Sequence, residues 1–151
     1  MRFSFRLQSL LNWKRNLEES SQMRLAHKIR QLKTEDEEIQ QLARRRFEND
    51  QKLNEKMRRG IEIHEYFLYK TFGEESYNDL LRREGKKKQA EKEIEEERED
   101  LIGLMKARKK LEKLKEKRFK IFIYQMEKMD QKNIDEIFVR QYPSTFEENL
   151  S

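Results

Sequence analysis

The chain has 151 residues, of which 43% are charged and 34% hydrophobic, against roughly 25% and 45–50% in an ordinary soluble domain. Four glycines, one proline and no cysteine leave too few turn signals for an all-β fold and no means of forming disulfides, zinc–thiolate sites or a thiol nucleophile. The net charge of +5 is unevenly placed: residues 106–118 carry eight basic and two acidic residues, while 91–100 carry seven acidic and two basic ones.

The opening, MRFSFRLQSLL, is basic and apolar but lacks a small-residue cleavage site, so no signal peptide is expected. From Phe5 to Arg59 there is neither glycine nor proline, and Leu7, Leu10, Leu11, Leu17, Leu25, Ile29, Leu32, Ile39, Leu42, Phe47, Leu53 and Met57 recur at helical spacing. This narrow stripe predicts a coiled-coil helix over 5–59. A helix of that length spans ~80 Å and needs a partner along its seam.

Residues 60–85 contain Gly60, Gly73 and Gly85 together with Tyr66, Phe67, Tyr69, Phe72 and Tyr77. Glycine punctuation predicts an aromatic turn region here, with a short helix or two, in which the chain reverses. The aromatic cluster is either a binding surface or a small core plugging the hairpin tip. A second helix is predicted over 86–140, with Ala90, Ile94, Leu101, Leu104, Met105, Leu111, Leu114, Phe122, Met126, Met129, Ile134 and Ile137 on its stripe. Glu97, Arg108, Lys115, Arg118 and Gln125 interrupt that stripe, and such polar insertions set register at some cost in stability. The tail 141–151 contains Pro143 and is expected to fray.

The fold class is therefore all-α, a long antiparallel two-helix coiled coil forming one domain over 1–151. A reversal centred near Gly73 would set acidic 35–38 against basic 108–113, and acidic 91–100 against 48–57 with Lys52 and Lys56. The longest apolar runs, Tyr66–Tyr69 and Ile121–Tyr124, fall far short of the ~18 residues a membrane span requires.

Chemistry-bearing patterns are sparse. His27 and His64 stand in different elements, without the i, i+4 partner that a helical metal pair uses. There is no phosphate-cradling glycine loop and no nucleophile elbow. The many glutamates are expected on solvent-facing charge runs, with no apolar pocket to raise a pKa. The expectation is a binding protein, not an enzyme, with no cofactor and no metal. The basic run 106–118 can be read as a nucleic-acid or acidic-lipid patch or, as preferred here, as the solvated face of a helix.

Three features resemble the bacterial flagellar export protein family FliJ. They are the opening Phe3-x-Phe5-x-Leu7-x-x-Leu10-Leu11 followed by Lys14 and Arg15, the run from Met57 and Gly60-Ile61 to Phe72, and Met129-Asp130-Gln131-Lys132-x-x-Asp135-Glu136. The resemblance covers essentially the whole chain. It implies a stalk-like adaptor and general chaperone of type III export. Such a protein binds the hexameric export ATPase FliI and promotes its assembly, contacts the export gate protein FlhA, and binds substrate chaperones. It would work as a monomer in the cytoplasm, peripheral to the inner membrane at the flagellar base.

By position, the resemblance implies an ATPase-facing end with Arg6, Lys14, Arg15, Lys132, Asp135, Glu136 and Arg140. It implies a gate-facing surface with Leu42, Arg45, Asn49, Tyr69 and Phe72. Arg45 and Asn49 are more polar than an apolar docking patch calls for, and heptad spacing alone reads Leu42 as a seam residue. The alternatives are the stalk protein of a virulence secretion system, or a basic coiled coil acting as a nucleic-acid-binding or scaffold protein.

Overall fold

Two helices account for almost all of the 141 residues, 1–141, that the computed structural model describes: α1 (Gln8–Arg59) and α2 (Ile63–Gln141). Helix α1 opens where Gln8 N donates to the Phe5 carbonyl at 3.0 Å and Leu11 N to that of Leu7 at 2.9 Å. It then runs uninterrupted because nothing from Gln8 to Arg59 is glycine or proline. Lys56, Arg58 and Arg59 occupy its last turn, where cations complement the negative end of the helix dipole. Gly60 follows with φ +95°, the left-handed conformation that ends many helices and that side chains with a Cβ resist. Three residues later, at Ile63, α2 begins, Tyr66 N donating to the Glu62 carbonyl at 3.0 Å.

The two helices pack antiparallel. The chain divides into two compact units, residues 1–16 with the part of α2 from Met105, and residues 17–104. In the second unit Asp36 meets Lys87 at 2.6 Å, Glu38 meets Arg83 at 2.6 Å, and Lys56 pairs with Glu65.

That register corrects the sequence reading. The reversal occupies Gly60–Glu62, not a region 60–85 centred near Gly73, and α2 starts at Ile63 instead of 86. Acidic 35–38 accordingly faces Arg83 and Lys87, not 108–113. From the acidic block 91–100, Glu97 faces Arg24 and Lys28 in place of 48–57. Gly73, Gly85 and Gly103 all lie inside α2. A lone glycine costs a helix roughly 1 kcal/mol relative to alanine, which the surrounding good helix formers absorb. The expected fray of the tail concerns residues that lie, apart from Gln141, outside the described ones.

The core is a seam. Its buried apolar residues are Phe5, Leu11, Ile39, Leu53 and Ile94, and Glu18, Ser21, Ser76 and Glu97 are buried beside them. At 73–76 the seam uses small residues. Ser76 is buried and donates to the Gly73 carbonyl at 3.1 Å, and a Cβ on Gly73 would stand 4.0 Å from Asn49 Nδ2.

Candidate functional site

Within residues 17–104, the gate-contact candidates are brought close by the register. Asn49 Nδ2 donates to the Tyr69 carbonyl at 3.3 Å, and Lys56 lies over the Tyr69 ring, 5.2 Å from its centroid. Leu42 and Arg45 line a groove of about 240 Å³ with Glu38, Gln41, Asp79 and Arg83. Phe72 stands seven residues before Asp79, hence on the same face of α2, and is 38% exposed. Leu42, Arg45 and Phe72 thus lie toward one flank of the seam, whereas Tyr69 lines the groove on the other flank with Arg46, Gly73 and Tyr77, so the five candidates do not share one surface.

Leu68 belongs with Phe72 and was not among the sequence candidates. It precedes Phe72 by four residues, is exposed, and shares its helix face. The i, i+4 apolar pair was readable in the sequence, but only once the segment was known to be helical.

The rim of the groove is a charge network. Asp79 accepts hydrogen bonds from Arg82 and from Arg83 Nε, the latter at 3.3 Å, and Arg83 also reaches Glu38. The Arg82 hydrogen bond, then that of Arg83, holds the Asp79 carboxyl below its ordinary value. On the opposite flank Arg46 stacks on Tyr77 with 5.0 Å between guanidinium carbon and ring centroid. Its buried Nε has no hydrogen-bond partner.

Deeper in the same unit lies a buried polar cluster. Glu97 accepts from Ser21 Oγ at 3.1 Å, Arg24 Nε at 3.1 Å and Lys28 Nζ at 3.4 Å. Burial pushes the Glu97 carboxyl up, but the Arg24, Ser21 and Lys28 bonds together outweigh it and hold the group below 4.5. The heptad interruption at 97 is therefore a satisfied interhelical junction.

The ATPase-facing candidates belong to the other unit. Phe3 packs on Phe119 and Phe122 with centroids at 5.1 and 5.5 Å, and Arg118 lies 5.9 Å over the Phe5 ring. Arg15 is committed to an interhelical pair with Glu112 at 3.2 Å, and Arg108 holds the other Glu112 oxygen at 2.9 Å. Burial raises the Glu112 carboxyl, and Arg108 and Arg15 together more than reverse this. Lys14 lies over the Trp13 ring at 5.1 Å, and Arg6 is exposed.

Phe3 meets α2 at Phe119 and Phe122, and α2 continues from there to Gln141. Lys132, Asp135, Glu136 and Arg140 are exposed there, interleaved with exposed Met129, Ile134, Ile137 and Val139. The two halves of the ATPase-facing set, Arg6–Arg15 and Lys132–Arg140, make no direct contact among the described residues.

Fold and surfaces together define an all-α helical hairpin that offers long exposed faces to other molecules, with apolar side chains set among charges. A family profile described as "Flagellar FliJ protein" matches residues 3–144. The chain belongs to that family and is a component of flagellar type III protein export. No curated protein and no solved structure matches it. None of its helices, among the described residues, is long and apolar enough to cross a membrane.

Proposed function

We propose that this protein is a stalk-like adaptor of flagellar export. In this reading it binds the export ATPase FliI, promotes assembly of its hexamer, and links that ring to the gate protein FlhA and to substrate chaperones. It acts as a monomer at the cytoplasmic face of the inner membrane, as a binding protein without catalysis of its own. The observation that carries the reading, beyond family membership, is the exposed mixed surface at the end of α2. A helical segment whose exposed Met129, Ile134, Ile137 and Val139 alternate with Lys132, Asp135, Glu136 and Arg140 suits insertion into a surrounding protein. Its apolar groups would gain burial there, and its charges would orient it.

Gate-facing contacts, on both flanks of the seam, are assigned to Leu42, Arg45, Asn49, Tyr69 and Phe72, with Leu68 added. Exposed aromatic and aliphatic anchors inside a charged rim are the usual anatomy of a protein interface. The virulence-system, nucleic-acid and scaffold alternatives draw no support from the family match.

The test adds the purified chain to its matching export ATPase and follows hexamer formation and ATP hydrolysis. Both should rise with saturating protein, and charge reversal at Lys132 and Arg140 should blunt the rise. No change at saturation would remove the ATPase part of the proposal. Loss of capture by the FlhA cytosolic domain on Phe72→Ala, with hydrolysis still stimulated, would separate the two surfaces.

A further inference from the structure

Within the basic run 106–118, which sequence alone favours as a solvated face, the structure sets a line of unpaired lysines along α2. Lys106, Lys109, Lys110, Lys113 and Lys117 are spaced three, one, three and four residues apart. At 100° per residue they fall within about 100° of arc, and the line is about 16 Å long. All five are exposed, and none is in an ion pair or hydrogen bond among the described residues.

The acids within one turn of these lysines are engaged elsewhere, and the exposed Glu95 and Glu99 bound the line at its near end. Glu112 is held by Arg15 and Arg108, and Glu116 by Lys120. The line lies away from α1, because the contacts with α1 come from Glu112, Arg118, Phe119 and Phe122. Continuing along the same arc, Ile121 and Tyr124 are 49% and 57% exposed. Lys128 stands over the Tyr124 ring at 4.7 Å, and Glu127 borders this far end.

We infer that this face of α2 binds an anionic lipid bilayer surface directly. Three features favour a bilayer over a nucleic acid. The cations are all lysine, point charges without the planar fork that grips a phosphodiester or a base edge in two places. They share one helix face, which can rest on a plane along its whole length, whereas a duplex curves away from a helix lying along it. The line ends in an exposed aliphatic and a tyrosine, the residue types that settle at the headgroup level and contribute little to binding a phosphate backbone. Basic residues near an anionic leaflet each strengthen binding about fivefold, an effect that fades beyond a Debye length. This inference does not depend on the adaptor role proposed above.

The experiment is co-flotation of the full chain with vesicles of phosphatidylcholine alone or of phosphatidylcholine with 30% phosphatidylserine. A duplex DNA of about 20 base pairs is titrated in parallel by anisotropy. The chain should float with the serine-lipid vesicles, not with the neutral ones, and should detach as salt is raised. The variant K106Q/K110Q/K113Q/K117Q, checked by circular dichroism to be helical, should bind at least a hundredfold more weakly. Tyr124→Ser should weaken vesicle binding severalfold and leave DNA binding unchanged. In W13F/Y124W the only tryptophan emission should shift to the blue on serine-lipid vesicles. Equal binding to neutral vesicles, undiminished binding by the four-lysine variant, no emission shift, or tighter binding of DNA than of serine-lipid vesicles at 0.15 M salt would each overturn the inference.

Discussion

Between Leu17 and Leu104 the helices are held in register by polar groups. Among the described residues the buried polar ones, Glu18, Ser21, Ser76 and Glu97, lie there, and so do the Asp36–Lys87 and Glu38–Arg83 pairs. Where residues 1–16 meet α2, large apolar side chains do this instead. Leu11 is fully buried, Phe5 nearly so, and Phe3 sits between Phe119 and Phe122. The two solutions specify different things. An apolar seam tolerates a shifted partner, because dispersion and hydrophobic burial are non-directional. A buried carboxylate facing a buried hydroxyl does not, because any slip leaves both without a partner at about 1–3 kcal/mol per unsatisfied group. The first kind of contact supplies stability and the second supplies alignment.

The sharpest way to break this contrast is Leu11→Ala. A leucine with no exposure should cost about 2–4 kcal/mol, less than in a globular core only to the extent that a thin seam can close over the cavity. The measurement is urea unfolding followed by Trp13 fluorescence, which reports on the same unit. A loss below about 1 kcal/mol would mean that apolar burial does not carry that unit.

Next in size is Glu97→Ala, which leaves Ser21 buried and Arg24 and Lys28 without their shared acceptor. The expected cost is about 1–3 kcal/mol, with a further signature in pH. Glu97 and Glu112 both titrate below 4.5 in the folded chain. The unfolded chain therefore binds protons first, and the stabilisation is fully present above that value and lost as pH falls through the lower folded pKa. Acid unfolding should begin in this window for the wild type, and the Glu97→Ala penalty should shrink as pH drops. A penalty that is constant from pH 7 to pH 3 would show that the carboxylate is not what Ser21 and Arg24 recognise.

Much of this architecture could be read from residue order alone. The absence of glycine and proline from α1, the 3.5-residue stripe through Leu25, Leu32 and Ile39, and the polar interruption at Glu97 were all visible. The place where the chain turns was not. Gly60, Gly73 and Gly85 look alike as letters, and only Gly60 has φ in the left-handed region. At Gly73 and Ser76 the seam consists of small residues that bury little area, so hydrophobic periodicity falls silent where the helices are still paired. A hairpin assembled on that silence is shifted, and every charge opposition predicted from it is shifted too. Leu42 and Phe72 could be named as gate-facing candidates from the sequence, but their place toward one flank, and the proposed addition of Leu68, required the register.

Phe72→Ala tests the same contrast through a side chain that lies beside the polar-aligned seam without being buried in it. At 38% exposure it should change stability by less than about 0.5 kcal/mol, while weakening capture of the FlhA cytosolic domain at least tenfold if it is an interface anchor. A stability loss comparable to that of Leu11→Ala would return Phe72 to the seam and remove it from the docking surface.

The smallest expected effect separates the two regions at alkaline pH. The pairs of the 17–104 unit include two lysines held above their ordinary value of 10.5, Lys56 by its hydrogen bond to Glu65 and Lys87 by that to Asp36. A cation whose folded pKa is raised stabilises fully below its unfolded value, and that contribution disappears as pH rises through the folded one. The interhelical pair of the other unit, Arg15–Glu112, is built on a guanidinium that does not titrate in the accessible range. Raising pH from 9 to above 11 should therefore loosen contacts between Leu17 and Leu104 and leave the Arg15–Glu112 contact in place. Asp36→Asn provides the reading. Its thermal midpoint should lie slightly below the wild type at pH 8, and the gap should close above pH 10.5, whereas the gap between Glu112→Gln and the wild type should persist. If both gaps closed together, the lysine pairs would not be what distinguishes the two halves, and their alignment would have to rest on Ser21 and Glu97 alone.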